Sequence, residues 1–188
     1  MKTNIKNTAV IMIGLLLGPL FTFAQITENE SAQNTQGADI EFAANAQSSN
    51  LFEIDAAKLA LEKSQDSQVR EYAQRLITER EKLSEQYNGL IAQKSWQLPE
   101  LDRQLYNSQL ETLNNLQAND FDEHYLQASL SNHQQSLSLF QDFSANEYAD
   151  ADLKNILSGQ IRPLESNIEW VSNYEKDAVQ ETTDSDIR

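Results

Sequence analysis

The sequence predicts an all-α protein: a bundle of four long helices, with a short crossover helix between two helical hairpins. Three observations predict it. Beyond Gly37 only Gly89, Pro99, Gly159 and Pro163 interrupt the chain, so little punctuates it as sheet proteins are punctuated. Apolar residues recur at three- and four-residue spacing, and strand-like alternation is absent. Asp66 and Asp150 each open the same local pattern, acid-x-x-apolar-base-x-apolar, as Asp66-x-x-Val69-Arg70-x-Tyr72 and Asp150-x-x-Leu153-Lys154-x-Ile156. That weak repeat suggests two related hairpins.

The elements follow in order. The first helix is expected from about Asp39 to Ser64, loosened at Ser48-Ser49-Asn50. Asp66 is a good N-cap for a second helix reaching about Ser95, with Pro99 beyond it. A shorter third helix spans about Glu100 to Leu116, with Leu110 and Leu113 on one apolar side. Asn119 or Asp120 is expected to cap the fourth, FDEHYLQASLSNHQQSLSLFQDFSA. Asp150 caps the fifth, which continues to about Tyr174 and should kink where Pro163 cannot donate to the Gly159 carbonyl. Four long helices plus one crossover make the ferritin-like version of the bundle.

The ends of the chain are different material. Residues 1–24 carry Lys2 and Lys6, an apolar run from Ala9 to Phe21, and the small residues Thr22 and Ala24. This is the pattern of a signal peptide cleaved after Ala24. The run is shorter than the roughly 20 residues a membrane span needs, and Gly14, Gly18 and Pro19 break it. An uncleaved anchor on a membrane-associated scaffold is the lesser alternative. Residues 25–37 read as a flexible polar linker, 38–176 as the bundle, and 177–188 as an acidic disordered tail.

Composition narrows the function. The net charge is −15, and cleavage would remove two lysines and no acid. Such a surface repels nucleic-acid backbones and anionic membrane faces. With no nucleic acid and no direct membrane binding expected after cleavage, the open partner class is another protein. There is no cysteine, hence no disulfide, thiolate chemistry or lipid-bearing cysteine. No glycine-rich phosphate loop is present, and export argues against nucleotide-dependent chemistry, so no cofactor is expected.

Polar residues on the inner faces are the candidate site. At 100° per residue, Glu53 falls inside the apolar arc of the first helix, and Arg80 near the centre of the stripe on the second. His133 lies between Leu126 and Phe140 on the fourth, and Asn167 on the inner face of the fifth. Glu53 precedes Asp66 by 13 residues and Arg80 follows it by 14; His133 precedes Asp150 by 17 and Asn167 follows it by 17. At about 1.5 Å per residue these depths are about 20 and 25 Å. Hairpin turns at opposite ends of a bundle about 45 Å long would therefore bring all four to mid-length. They are expected to form a buried, metal-free polar cluster.

The competing reading is a metal site built from Glu53, Glu79 and His133. A di-metal bundle needs a carboxylate from each of two helices and a Glu-x-x-His pair from each of the others. No Glu-x-x-His occurs, and Arg80 puts a permanent cation where the metals would sit. His124 is nine residues from His133, roughly opposite on the helix, and cannot share its site. No nucleophile is evident beside either histidine, so no catalytic residue is expected.

From about Phe42 to Asn173 the chain resembles the bacterial domain-of-unknown-function 4142 family. The resemblance rests on Glu53 in FEIDAAKLAL, on VREYAQRLITEREKL, on FDEHYLQASLSNHQQSL and on ADADLKNILSGQIRPLESNIEWV. Phe121, Asp122 and Tyr125 followed by His133 are its most specific part. It implies export and a ferritin-like bundle, with no settled activity. Two departures matter. Glu79-Arg80 stands where the family usually shows Asp-His, and Asn167 where it usually shows a histidine after the proline.

Overall fold

The computed structural model describes residues 31–100 and 104–185. The expected signal segment 1–24 lies outside them, as do 25–30 and 186–188. Five helices follow one another: α1 Ser31–Lys63, α2 Ser67–Lys94, α3 Gln104–Asn115, α4 Ala118–Ala145 and α5 Ala151–Ser185. No strand occurs among the described residues.

Side-chain pairs give the helix directions. Gln47 Nε2 donates to Asn88 Oδ1 at 2.8 Å, and Asn50 Nδ2 to the Arg80 carbonyl at 2.8 Å and to Ser84 Oγ at 2.7 Å. As residue numbers rise on α1 they fall on α2, so the two are antiparallel. Phe42–Phe143 and Ser49–Asn132 set α4 antiparallel to α1 in the same way. Tyr72–Trp170 and Lys94–Asp150 set α5 antiparallel to α2. The order is thus up, down, down, up. The two down helices, α2 and α4, require one long return, and α3 lies in the connection between them.

The two aspartates match each other in structure. Asp66 Oδ1 accepts from the backbone N–H of Gln68 and Val69 at 2.6 and 3.2 Å. Asp150 Oδ1 accepts from those of Asp152 and Leu153, both at 3.0 Å. Each cap satisfies N–H groups that the first helical turn leaves open. Each second oxygen is held by the other helix: Asp66 by the Tyr174 hydroxyl at 2.9 Å, Asp150 by Lys94 Nζ at 2.6 Å. The start of α2 is tied to α5 near Tyr174, and the start of α5 to the end of α2.

Several boundaries differ from expectation. α1 begins at Ser31, inside the segment read as linker, and α5 runs on to Ser185, inside the segment read as tail. Polar composition without periodicity does not forbid a helix that propagates from a packed neighbour, since adding a residue costs less than nucleating a turn. α1 is unbroken at Ser48-Ser49-Asn50, because Asn50 is buried and finds its partners on α2. α4 begins at Ala118 after Gln117, with no side-chain cap. Asp120 instead sits in the first turn, where its charge suits the helix dipole. α5 continues on both sides of Pro163.

Two apolar clusters fill the bundle. One joins Phe52, Ala56, Val69, Tyr72, Leu76, Phe121, Tyr125 and Val171. The other joins Leu83, Tyr87, Leu90, Trp96, Phe140, Phe143, Leu153 and Leu164. Arg80, His133 and Asn167 enter from positions between these two groups along their helices, and Glu53 from the edge of the first group, beside Phe52. Among the described residues no helix is long and apolar enough to cross a membrane.

Candidate functional site: a buried ion pair and its hydroxyl relay

Glu53, Arg80, His133 and Asn167 are all buried, at 5, 2, 0 and 1% exposure. Three of them meet. Glu53 Oε2 forms an ion pair with Arg80 Nε, and Glu53 Oε1 lies 2.8 Å from His133 Nδ1. Arg80 Nη2 stands 3.2 Å from the same ring nitrogen. On the far side of the imidazole, Nε2 lies 2.8 Å from the Tyr72 hydroxyl and 3.2 Å from Ser129 Oγ. Those two hydroxyls are 2.7 Å apart.

The ionised Glu53 orders the protons of this set, although its contacts with His133 and Arg80 are ion pairs and not aligned hydrogen bonds. Burial by itself pushes the Glu53 carboxyl up, but Arg80 and His133 beside it outweigh that and hold it below the ordinary carboxylate range. Ionised, Glu53 only accepts, so His133 Nδ1 carries the ring proton that points at it. Nε2 then accepts from Tyr72, and Tyr72 accepts from Ser129. The donors run Ser129 to Tyr72 to His133 to Glu53, and Arg80 closes the chain from the other end. The Arg80–His133 approach is between two donors gathered round one carboxylate.

Asn167 belongs to a second set, which corrects the expected fourfold cluster. Its Nδ2 donates to Glu79 Oε2 at 3.0 Å, and its Oδ1 lies 3.4 Å from Arg75 Nη2. Arg75 and Glu79 pair along α2 at 3.8 Å. Glu79 and Arg80 are neighbours in sequence but about 100° apart round the helix. Arg80 therefore faces α1 and α4, while Glu79 faces α5. Asn167 has the right depth and meets the other side of α2.

The alternative trio Glu53, Glu79 and His133 is likewise not assembled. Glu79 is engaged by Asn167 and Arg75, away from Glu53. The donor set does not fit a metal centre: Arg80 occupies one oxygen of Glu53, and both nitrogens of His133 are used. No group of three or more His, Asp or Glu residues placed to share an ion occurs among the described residues. His124 is exposed on the outside of α4, its Nδ1 2.8 Å from the Asp120 carbonyl.

Ser129 and Tyr72 were not expected at the site. The signal for Ser129 was its position one helical turn before His133 on the same face. For Tyr72 it was a tyrosine whose buried hydroxyl must find a partner. Ser129, His133 and Glu53 have the hydroxyl–imidazole–carboxylate order of a hydrolytic triad. The setting does not serve acyl transfer. Tyr72 lies against Ser129, and the neighbouring backbone N–H groups are spent within α4. The adjoining cavity, lined by Phe52, Tyr125 and Ala128 among others, holds about 10 Å³, at the lower limit for one water.

The family model described as a domain of unknown function, DUF4142, matches residues 24–173. A DUF305 fragment from Deinococcus radiodurans superposes with a TM-score of 0.65 at 13% identity, covering 72% of this chain and 93% of that one. A DUF305 protein from Streptomyces coelicolor, named as secreted, gives 0.60 at 14%, covering 71% and 88%. At such identities the likeness concerns the fold. No curated protein matches the sequence.

Proposed function

The chain belongs to the DUF4142 family, and from that footing we propose that it is an exported, non-catalytic helical bundle. In this reading it serves the cell envelope in a stress response or as an interaction module. The observation that carries it is the mutual pairing of the inner charges. Glu53 is held by Arg80 and His133, and His133 by Glu53, Tyr72 and Ser129. A ferritin-like interior that could offer ligands spends its charges on one another instead. Such a set fixes how α1, α2 and α4 meet, because a register slip would strand a charge in the core.

Export is supported by the basic, apolar and small-residue order of residues 1–24. The Streptomyces fold relative that is named as secreted points the same way. Metal analysis of the untagged protein, together with the mass of the mature N-terminus, tests both halves. The expected result is cleavage after Ala24 and no stoichiometric metal. Stoichiometric iron, manganese or zinc that is lost in His133→Ala would overturn the metal-free reading. An intact Ala24–Gln25 bond would overturn cleavage.

A further inference from the structure

Tyr72 sits at the junction of two arrays that the proposed function does not use together. One is the hydrogen-bond chain, in which its hydroxyl meets His133 Nε2 at 2.8 Å. The other is a stack of rings leading outward. Trp170 lies 4.4 Å from the Tyr72 ring centroid with the planes 5° apart. Tyr174 follows at 5.5 Å and 18°. Tyr72 is buried, whereas Trp170 and Tyr174 are half-buried. The hydroxyl of Tyr174 also donates to a base, Asp66 Oδ2, at 2.9 Å. Two tyrosines, each with a proton acceptor, thus flank and stack on one tryptophan.

We propose that Tyr72 is a redox-active tyrosine, giving its hydroxyl proton to His133 and its electron, through Trp170 and Tyr174, to a one-electron oxidant at the surface. This goes beyond the non-catalytic reading and does not depend on it. The oxidant is of the class of oxygen-derived radicals or outer-sphere metal complexes in solution. The Tyr72 O–H bond breaks, the proton bonds to His133 Nε2, and one electron leaves. Tyr72 becomes a neutral radical, His133 an imidazolium opposite the Glu53 carboxylate, and the oxidant is reduced by one electron. A thiolate can return the electron, becoming a thiyl radical, while the proton returns from Nε2 to the tyrosyl oxygen.

Two features favour the hole resting on Tyr72. Burial pushes its phenol up, away from the phenolate form, so the electron leaves readily only if the proton moves with it. His133 is placed for that transfer, and Glu53 compensates the charge that results. Arg75 lies over both rings, 5.4 Å from the Tyr72 centroid and 5.9 Å from that of Trp170. A cation there opposes a tryptophan radical cation but not a neutral tyrosyl radical. The tryptophan is a step on the way, and the tyrosine is where the hole stops.

The test uses the full protein carrying Tyr148→Phe, which removes the exposed competitor (Tyr148 is 66% exposed). Photogenerated ruthenium(III) tris-bipyridine is the oxidant, and electron paramagnetic resonance the readout. The expected result is a long-lived tyrosyl signal coupled to an exchangeable proton shared with isotope-labelled histidine. Tyr72→Phe should lower its yield about tenfold or more, and Trp170→Phe should slow its formation about tenfold. Equal yield, lifetime and line shape in folded Tyr72→Phe would overturn the proposal. Unchanged formation in Trp170→Phe would overturn the route. Should Tyr72→Phe not fold, a parent signal with no coupling to labelled histidine overturns it equally.

Discussion

His133 Nδ1 lies 2.8 Å from Glu53 Oε1, and the charge on that carboxylate orders the other protons in the cluster. A carboxylate cannot donate, so the ring must, and the opposite nitrogen is left to accept from Tyr72. Arg80 neutralises the same carboxylate from α2. Three helices are joined through one side chain of α1.

Removing Arg80 should be severe. Its side chain and that of Glu53 are 3 and 5% exposed, so Arg80→Met leaves a carboxylate buried beside an imidazole. The expected loss is about 3–5 kcal/mol in urea unfolding. Adding Glu53→Gln should recover part of it, because the stranded charge goes too. A single-variant loss near zero would mean that both side chains reach water.

Acid should act through Glu53. Its folded pKa lies below the ordinary value of 4.5. The stabilisation from its ionised form is therefore complete above that value and is lost as pH falls through the folded pKa. Asp39 and Asp122, raised chiefly by burial, act in the opposite sense. The effect is best read as a difference between wild type and Glu53→Gln. That difference should shrink as pH drops below 4.5; a gap constant with pH would remove Glu53 from the account.

Asn167 should behave as a separate unit. Its partners Arg75 and Glu79 are 42 and 32% exposed, so water can replace what is lost. Asn167→Ala is expected to cost about 1 kcal/mol, well below the loss at Arg80. With no shared partner, Asn167→Ala and His133→Gln should be additive within about 0.5 kcal/mol. Larger coupling in a double-mutant cycle would join the two sets.

Much of this arrangement was legible in the sequence, and the misses have physical causes. Counting residues from Asp66 and Asp150 placed the polar side chains at a common depth, because helical rise is nearly constant. It could not say which flank of α2 meets α5, and so grouped Asn167 with Arg80 instead of Glu79. The two aspartate caps were readable because an acid before an apolar helical run has few other uses. The start of α1 and the end of α5 were not, since those polar segments carry no periodic signal. Tyr72 hid within the apolar pattern, where a phenol body counts as hydrophobic and its hydroxyl goes unnoticed.

Nitrogen NMR of His133, recorded before and after addition of zinc(II), tests the closed cluster most directly. The expected result is a proton on Nδ1, an unprotonated Nε2 accepting from Tyr72, and a spectrum that zinc leaves unchanged. A proton on Nε2 alone, or loss of the Nδ1–H signal as one zinc binds per chain, would contradict it.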